Sequence, residues 1–151
     1  MIRRYAAALA ALGAFTLTAY TAPAPAAAAP VPVQLVNKVS GHCLQVDSSQ
    51  DAPAEPAACT DDERQRFTLS GQGTVRITRG EWCLASETAD TPVFMDCAGD
   101  DSHQTEWDAN NGEYDNVLLN MCLNEKNGKI DLDVCGADGG RTVWEARPIA
   151  S

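Results

Sequence analysis

Hydrophobic and polar positions alternate with a period of two residues in several short stretches of the chain. Residues 74–78 and residues 130–134 both follow this pattern, which predicts β-strands with one buried face. Residues 67–70, followed by the glycine-rich residues 71–73, predict a strand that ends in a turn. The part of the chain beyond residue 30 has no long stretch with the helical period of an amphipathic helix. The pattern therefore indicates an all-β fold.

Residues 1–30 differ in composition from the rest of the chain, because they contain 13 alanines, two arginines and no acidic residue. Residues 5–20 are mostly apolar, and a stretch rich in alanine and proline follows them. These features predict a signal peptide over residues 1–28, a short linker at 29–32 and a domain over 33–148. The apolar stretch is shorter than the ~20 residues that span a bilayer. We therefore expect a secreted, extracellular protein rather than a membrane-anchored one.

The charge of the remaining chain excludes some partners. Without residues 1–28 there are 9 basic and 21 acidic residues, a net charge of −12. Such a surface repels phosphate backbones and anionic lipids. We expect no nucleic-acid partner and no membrane partner.

Six cysteines form two sets of three that recur with a period of about 39 residues. Each member of the first set precedes a leucine, and each member of the second set is followed, further along the chain, by an aromatic residue. The aromatic residues recur with nearly the same period as the cysteines. These landmarks define three internal repeats. The first set, the second set and the aromatic residues are Cys43, Cys83 and Cys122; Cys59, Cys97 and Cys135; and Phe67, Trp107 and Trp144.

An even number of cysteines in an exported chain predicts disulfides. Equivalent repeats should pair equivalently, which gives Cys43–Cys59, Cys83–Cys97 and Cys122–Cys135. Each bond would close a loop worth about 3 kcal/mol in the chain-entropy model. The sequence has no Cys-x-x-Cys pair, so we expect no metal site. Three units are too few for a β-propeller and favour a closed threefold β structure.

At these motifs the chain resembles the ricin-type (ricin B-like) β-trefoil lectin domain of secreted bacterial proteins. The resemblance implies a β-trefoil with three repeats of about 39 residues and pseudo-threefold symmetry. It also implies a six-stranded barrel capped by three hairpins, disulfides within the repeats and the three repeat aromatics in the core. The matching segments are 43–46 and 64–67 in the first repeat; 83–86, 94–97 and 105–107 in the second; and 122–125, 131–135 and 142–144 in the third.

The resemblance further implies carbohydrate binding in up to three equivalent shallow pockets. In the family an aspartate accepts hydrogen bonds from sugar hydroxyls and an aromatic ring covers the apolar sugar face. No repeat of this sequence keeps both the acid and the ring. The family's aspartate, glutamine and aromatic positions hold Gln45, Glu55 and Ala57 in the first repeat; Ala85, Val93 and Met95 in the second; and Asn124, Asp131 and Asp133 in the third.

Five polar residues remain as candidates for binding sugar hydroxyls. Gln45 and Asn124 replace the family's aspartate, and Asp47 is close to Gln45 in sequence. Alternation predicts that Asp131 and Asp133 project from the third repeat on the side opposite a predicted apolar face. Solvated surface side chains are the alternative for all five. The predicted apolar face consists of Ile130, Leu132 and Val134.

Two aromatic residues each have two possible roles, and two histidines bear on whether the protein is an enzyme. Trp82 is either an exposed stacking platform or a packing residue, and so is Tyr114, which we expect on a loop. Neither His42 nor His103 lies in a nucleophile motif, so we expect no enzymatic activity. The sequence thus predicts a monomeric, non-catalytic carbohydrate-binding module with degenerate sugar sites and no cofactor. The alternative is a β-trefoil that binds a protein, such as a secreted inhibitor.

Overall fold

The structure is a computed structural model, and it describes residues 30–71, 73–99, 102–137 and 139–149. The predicted signal peptide therefore lies outside the described residues. Within them, short strands make up nearly all the regular structure. A single 3-10 turn at Glu63–Gln65 and a single α-helical turn at Ser102–Thr105 are the described exceptions. No described helix has the length and apolar character needed to cross a bilayer.

Twelve described strands follow one another as four in each repeat. They are β1 (Val33–Asn37), β2 (Cys43–Val46), β3 (Ala54–Ala57), β4 (Thr68–Ser70), β5 (Thr74–Arg79), β6 (Trp82–Ala85), β7 (Val93–Asp96), β8 (Trp107–Asn110), β9 (Glu113–Asn116), β10 (Met121–Lys126), β11 (Lys129–Asp133) and β12 (Trp144–Pro148).

Six of these strands close a barrel. Antiparallel pairs join β4 to β5, β5 to β8, β8 to β9, and β12 to β1. Isolated bridges complete the circuit from β1 to β4 at Val33–Phe67 and from β9 to β12 at Glu113–Val143. The first and last strands pair along their whole length, from Val33–Pro148 to Asn37–Trp144. The described strands therefore form a closed circuit, which protects strand edges that could otherwise pair with another chain.

Three hairpins cap the barrel, one from each repeat: β2–β3, β6–β7 and β10–β11. Together with the closed barrel they form a β-trefoil, the fold expected from the sequence. The first strand of each hairpin contains a buried Cys-Leu pair, and the three leucines are fully buried. The hairpins therefore face the core on one side and present alternate residues outward on the other. The buried leucines are Leu44, Leu84 and Leu123.

The repeat aromatics lie in the core at equivalent places. Phe67, Trp107 and Trp144 are exposed by 1%, 0% and 1%. The indole Nε1 of Trp107 donates a 2.9 Å hydrogen bond to the carbonyl of Leu84, and the Nε1 of Trp144 donates one of 2.9 Å to the carbonyl of Leu123. Each tryptophan thus binds the buried leucine in the hairpin of its own repeat. Phe67 occupies the corresponding place in the first repeat, and its side chain has no hydrogen-bond donor.

Each hairpin carries one disulfide within its own repeat. The bonds are Cys43–Cys59, Cys83–Cys97 and Cys122–Cys135, and the paired Cα atoms are 5.0 Å apart in all three. They join the first strand of a hairpin to the chain just after its second strand. The equal geometry reflects the internal repeat, and each bond holds the two strands of its hairpin together.

Two expectations about apolar residues were wrong. Val134 is 66% exposed, whereas Ile130 and Leu132 are buried. The strand ends at Asp133, and the Val134 carbonyl accepts a hydrogen bond from the N–H of Ala137 in a turn around the disulfide. Tyr114 lies within β9 rather than on a loop and is only 4% exposed. The first error arises because alternation marks a face but not where a strand ends. The second arises because the Asn- and Gly-rich residues 110–116 include the β8–β9 turn, and strand β9 already begins at Glu113.

Trp82 is a packing residue in the structure. It begins β6, is half-buried and packs against the hydrophobic core. The partly buried Met121, at the equivalent place in the third repeat, also packs against the core. Trp82 is therefore not an exposed stacking platform.

Candidate functional site

The outer faces of the three hairpins hold equivalent cross-strand pairs at the family's sugar positions. These pairs differ in chemistry from one repeat to the next. The first and third are polar, whereas the second is apolar. The pairs are Gln45–Glu55, Ala85–Val93 and Asn124–Asp131.

The third hairpin brings an amide and a carboxylate into direct contact. The Nδ2 group of Asn124, which is 1% exposed, donates a 2.7 Å hydrogen bond to Oδ1 of Asp131. Asp131 and Asp133 are both half-buried on the same strand. The Oδ1 atom of Asp133 accepts a 2.8 Å hydrogen bond from the backbone N–H of Val134. Each carboxylate has further lone pairs that can accept hydrogen bonds from hydroxyl groups.

The first hairpin holds its amide through Gln65, a residue outside the predicted set. The Oε1 atom of Gln45 accepts a 3.1 Å hydrogen bond from Nε2 of Gln65, which is 1% exposed. That Nε2 also donates to the carbonyl of Ala58 at 2.9 Å, and Oε1 of Gln65 accepts from the N–H of Thr60 at 2.8 Å. Gln65 therefore orients Gln45 and ties the hairpin to the 3-10 turn. The sequence feature that could have identified Gln65 is its Gln-x-aromatic spacing to Phe67.

The second hairpin has a groove instead of a polar pair. Its cavity volume is about 230 Å³. Three apolar residues of the hairpin line it, and two acidic residues and three hydroxyl-bearing residues complete the lining. These residues are Ala85, Val93 and Met95; Asp51 and Glu87; and Ser86, Thr88 and Thr91.

The family model for the ricin-type β-trefoil lectin domain matches residues 31–144. The chain belongs to the ricin-type β-trefoil lectin family. A search of curated protein sequences found no significant match.

Solved structures with the same fold include natural and designed trefoils. The designed threefold-symmetric protein ThreeFoil has a TM-score of 0.69 and 16% identity, over 78% of this chain and 99% of its own. The β-trefoil lectin of the Vibrio vulnificus hemolysin, solved with N-acetyl-D-lactosamine bound, has a TM-score of 0.67 and 14% identity, over 82% and 98% of the two chains. A Clostridium perfringens endo-β-galactosidase that releases GlcNAcα1-4Gal has a TM-score of 0.66 and 13% identity, over 80% of this chain but 33% of its own.

Asp47 lies apart from the polar pair of this lectin domain's first hairpin. It is exposed, and its carboxylate is 3.5 Å from the guanidinium of Arg64. The same guanidinium lies 2.6 Å from Oδ2 of Asp62. Hydrogen bonds donated by the side chain and backbone of Arg64 lower the pKa of Asp62 to about 2, and donation to the Asp62 carboxylate raises the pKa of Arg64. Asp47 therefore belongs to a surface ion-pair network, and no described contact joins it to Gln45.

An acidic groove of about 130 Å³ lies beside the third disulfide. Asp108 and Asp115 face each other across β8 and β9, and Glu113 lies two residues before Asp115. Burial raises the pKa of Asp115, and the charges of Asp108 and Glu113 raise it further. The sulfurs of Cys122 and Cys135 also lie close to Asp115, but they are bonded to each other and offer no thiolate to a metal.

A buried glutamate joins the first and third repeats of the lectin domain. The side chain of Glu125 is 5% exposed, and its Oε1 lies 2.7 Å from Nδ1 of His42. The Oγ of Ser40 donates a 2.5 Å hydrogen bond to the other carboxylate oxygen. Serine and imidazole thus both bind the carboxylate, whereas a hydrolase triad needs the serine on the imidazole. The side chain of the other histidine, His103, lies outside the described residues.

Proposed function

We propose that this chain is a secreted, non-catalytic carbohydrate-binding module with degenerate sugar sites, and that its principal site is the outer face of the third hairpin. The observation that carries the proposal is the contact between Asn124 and Asp131 at the family's sugar position. The first hairpin, with Gln45 oriented by Gln65, is a secondary site. The three disulfides are consistent with an extracellular protein.

The chemistry of the third hairpin suits hydroxyl groups. Asn124 takes one oxygen of Asp131 and thereby fixes the direction of the carboxylate. The second oxygen of Asp131 and the carboxylate of Asp133, two residues along the strand, then serve as acceptors for sugar hydroxyls. Charged acceptors form the stronger class of hydrogen bond. The third hairpin carries two of them on one strand, Asp131 and Asp133, whereas the first hairpin pairs Gln45 with the single carboxylate of Glu55.

Affinity at such a site should be weak, because none of the three family positions keeps an aromatic ring over the apolar face of the sugar. A dissociation constant in the millimolar range, or about −4 kcal/mol, fits a site built only from hydrogen bonds. Asp47 adds little to the site of the first hairpin, since Arg64 neutralises part of its charge.

Titration of a panel of simple sugars into the ¹⁵N-labelled protein tests the proposal. The protein with its three disulfides formed should show the first amide shifts at Asn124 and Asp131. Asp131→Asn keeps an oxygen that accepts from Asn124 but removes the charge, so we expect binding to weaken by at least fivefold. The matched control is Glu81→Gln, which removes an exposed charge from the β5–β6 turn. Unchanged affinity of Asp131→Asn would place the principal site elsewhere.

A non-catalytic role agrees with the arrangement of the described side chains. Ser40 and His42 both bind the carboxylate of Glu125, and together the three residues form a structural contact between the first and third repeats. The endo-β-galactosidase match, over a third of that enzyme, indicates that this fold also occurs as one part of a larger catalytic chain. Incubation with the same sugars and with their oligosaccharides should therefore yield no cleavage products.

A further inference from the structure

The groove at the second hairpin has a floor that favours apolar groups. Val93 and Met95 are half-buried on β7, opposite the fully buried Ala85 and Cys83 of β6. At the family's aspartate position the side chain is the methyl of Ala85, and at the aromatic position it is the thioether of Met95. The half-buried side chains leave apolar surface in contact with water, and covering that surface is favourable.

One wall of the groove comes from the first repeat and is held firmly. The backbone N–H of Asp51 donates a 2.8 Å hydrogen bond to the carbonyl of Phe94, whose own N–H donates to the carbonyl of Ala52 at 2.9 Å. The N–H of Ala54 donates to the carbonyl of Pro92 at 2.8 Å. Three backbone hydrogen bonds therefore fix the loop that carries the Asp51 carboxylate. The groove of the second repeat thus includes an acidic residue from the first repeat, although the second repeat itself lacks the family's aspartate.

The other wall is the loop that follows β6, and its own hydrogen bonds order it. The Oγ of Ser86, which is 3% exposed, donates a 2.7 Å hydrogen bond to the carbonyl of Thr88. The Oγ1 of Thr88 donates to Oδ2 of Asp90 at 3.1 Å. This loop places Glu87 in the lining of the groove. The groove thus combines an apolar floor with two acidic residues, Asp51 and Glu87, in its lining.

We propose that this groove binds a neutral sugar through a methyl substituent, carried on a deoxy carbon or an acetamido group. The methyl group covers Val93 and Met95, and the sugar hydroxyls donate to Asp51 and Glu87. No lysine or arginine is among the described residues that line the groove, so uronic acids, sialic acids and sugar phosphates are excluded by charge. The cavity of about 230 Å³ is smaller than the ~300 Å³ lower bound for drug-sized ligands, so it takes one sugar ring.

The inference rests on the proposed function, because it assigns a ligand class to a second site of the same carbohydrate-binding module. It differs from the third-hairpin site in both residues and selectivity. The third hairpin recognises hydroxyl groups alone, whereas the groove requires the methyl group. The two sites therefore respond differently to sugars that differ only in that group.

Matched pairs of sugars test this requirement in amide-shift titrations of the full, disulfide-bonded chain. L-fucose is compared with L-galactose, which has a hydroxymethyl group in place of the methyl. N-acetylglucosamine is compared with N-formylglucosamine, which lacks only the methyl of the acetamido group. Discrimination of one methyl group by an apolar pocket is about tenfold or more. We expect the methyl-bearing member of at least one pair to bind about tenfold tighter, with shifts at residues 85–88 and 93–95, and the two pairs distinguish deoxy from acetamido recognition.

Two variants separate the floor from the walls. Met95→Gln preserves chain length but makes the floor polar, so the tenfold preference should fall below twofold. Asp51→Asn removes the charge while suiting the positive φ of 60° at this position, so both members of a pair should weaken alike. Glu81→Gln, at an exposed turn position outside both proposed sites, is the control and should leave the groove shifts unchanged. A dispersed amide spectrum of each variant establishes that it has folded.

Three outcomes overturn the inference, and they are distinct. Equal binding of both members of each pair, or shifts confined to the third hairpin, removes the methyl-binding groove but leaves the proposed function standing. A preference for the methyl group that survives in Met95→Gln places the methyl somewhere else. Absence of shifts with any sugar rejects the proposed function and the inference together.

Discussion

Replacing Trp107 with phenylalanine tests the role of the repeat aromatics most directly. Trp107 is fully buried, and its Nε1 donates a 2.9 Å hydrogen bond to the carbonyl of Leu84. The third repeat has the same contact between Trp144 and Leu123. The first repeat has Phe67, which is equally buried but has no donor. Trp107→Phe therefore converts the second repeat to the chemistry of the first while keeping an aromatic ring in place.

The expected loss of stability has two parts. The carbonyl of Leu84 loses a buried partner, which costs about 1 kcal/mol because its second lone pair limits the penalty. The smaller ring leaves a void in a fully buried site, which costs a further ~1–2 kcal/mol. The sum of about 2–3 kcal/mol is a large part of the ~5–15 kcal/mol that stabilises a typical domain. Full truncation, Trp107→Ala, should cost at least about 3–5 kcal/mol.

Guanidinium unfolding of the oxidised protein, followed by far-UV circular dichroism, measures this loss. The free energy of unfolding should fall by the stated amount with an unchanged slope, since both proteins expose nearly the same surface. Trp144→Phe should give a similar loss, whereas Trp82→Phe, at a half-buried position, should cost less than about 1 kcal/mol. An unchanged midpoint for Trp107→Phe would refute the assigned hydrogen bond and the close packing around the ring.

Two carboxylates should have pKa values that are shifted in opposite directions from the usual value of 3.8. Hydrogen bonds from Arg64 lower the pKa of Asp62 from 3.8 to about 2, so its stabilising contribution is present above pH 3.8 and disappears as the pH falls towards 2. A ¹³C carboxyl titration should show that midpoint, and Arg64→Gln should return it towards 3.8; a midpoint that Arg64→Gln leaves near 2 contradicts the assigned cause. Burial, Asp108 and Glu113 raise the pKa of Asp115, so its charged form destabilises the fold as the pH rises above 3.8. Asp115→Asn should therefore raise the free energy of unfolding at pH 7 by about 0.2–1 kcal/mol, through relief of cross-strand repulsion, and should not raise it below pH 3. Equal gains at both pH values would argue against the charge as the cause.

The features that the sequence predicted well are those that must recur in every repeat. A period of about 39 residues aligns the cysteines, the leucine after each first cysteine and the closing aromatic. Because the same local chain path is used three times, the spacing of the repeats predicts the disulfide pairing and a closed threefold β structure, and the family resemblance adds the barrel. Phe67, Trp107 and Trp144 then all lie in one core.

Other features depend on contacts between repeats, which spacing does not describe. Asp51 contributes to the groove of the second hairpin because backbone hydrogen bonds bring its loop onto β7. Glu125 is buried because the turn containing Ser40 and His42 covers it. At the equivalent positions the first two repeats have Val46 and a serine, so the sequence shows a departure but not its partners. These contacts are long-range in the chain and arise only when the barrel closes.

The same division explains how one fold can hold sites of different chemistry. The inward residues of each hairpin pack the core, so large changes there cost several kcal/mol, on the order of 2–5 for a buried leucine. The outward positions lie outside the main hydrophobic cluster, and they hold different side chains in the three repeats even where they are buried, as at Ala85 and Asn124. The three outward pairs have accordingly diverged into an amide facing a carboxylate at Gln45–Glu55 and Asn124–Asp131, and an apolar pair at Ala85–Val93. A glycan that displays hydroxyls to one hairpin and a methyl group to another would gain avidity from sites that are individually weak, provided that it spans both.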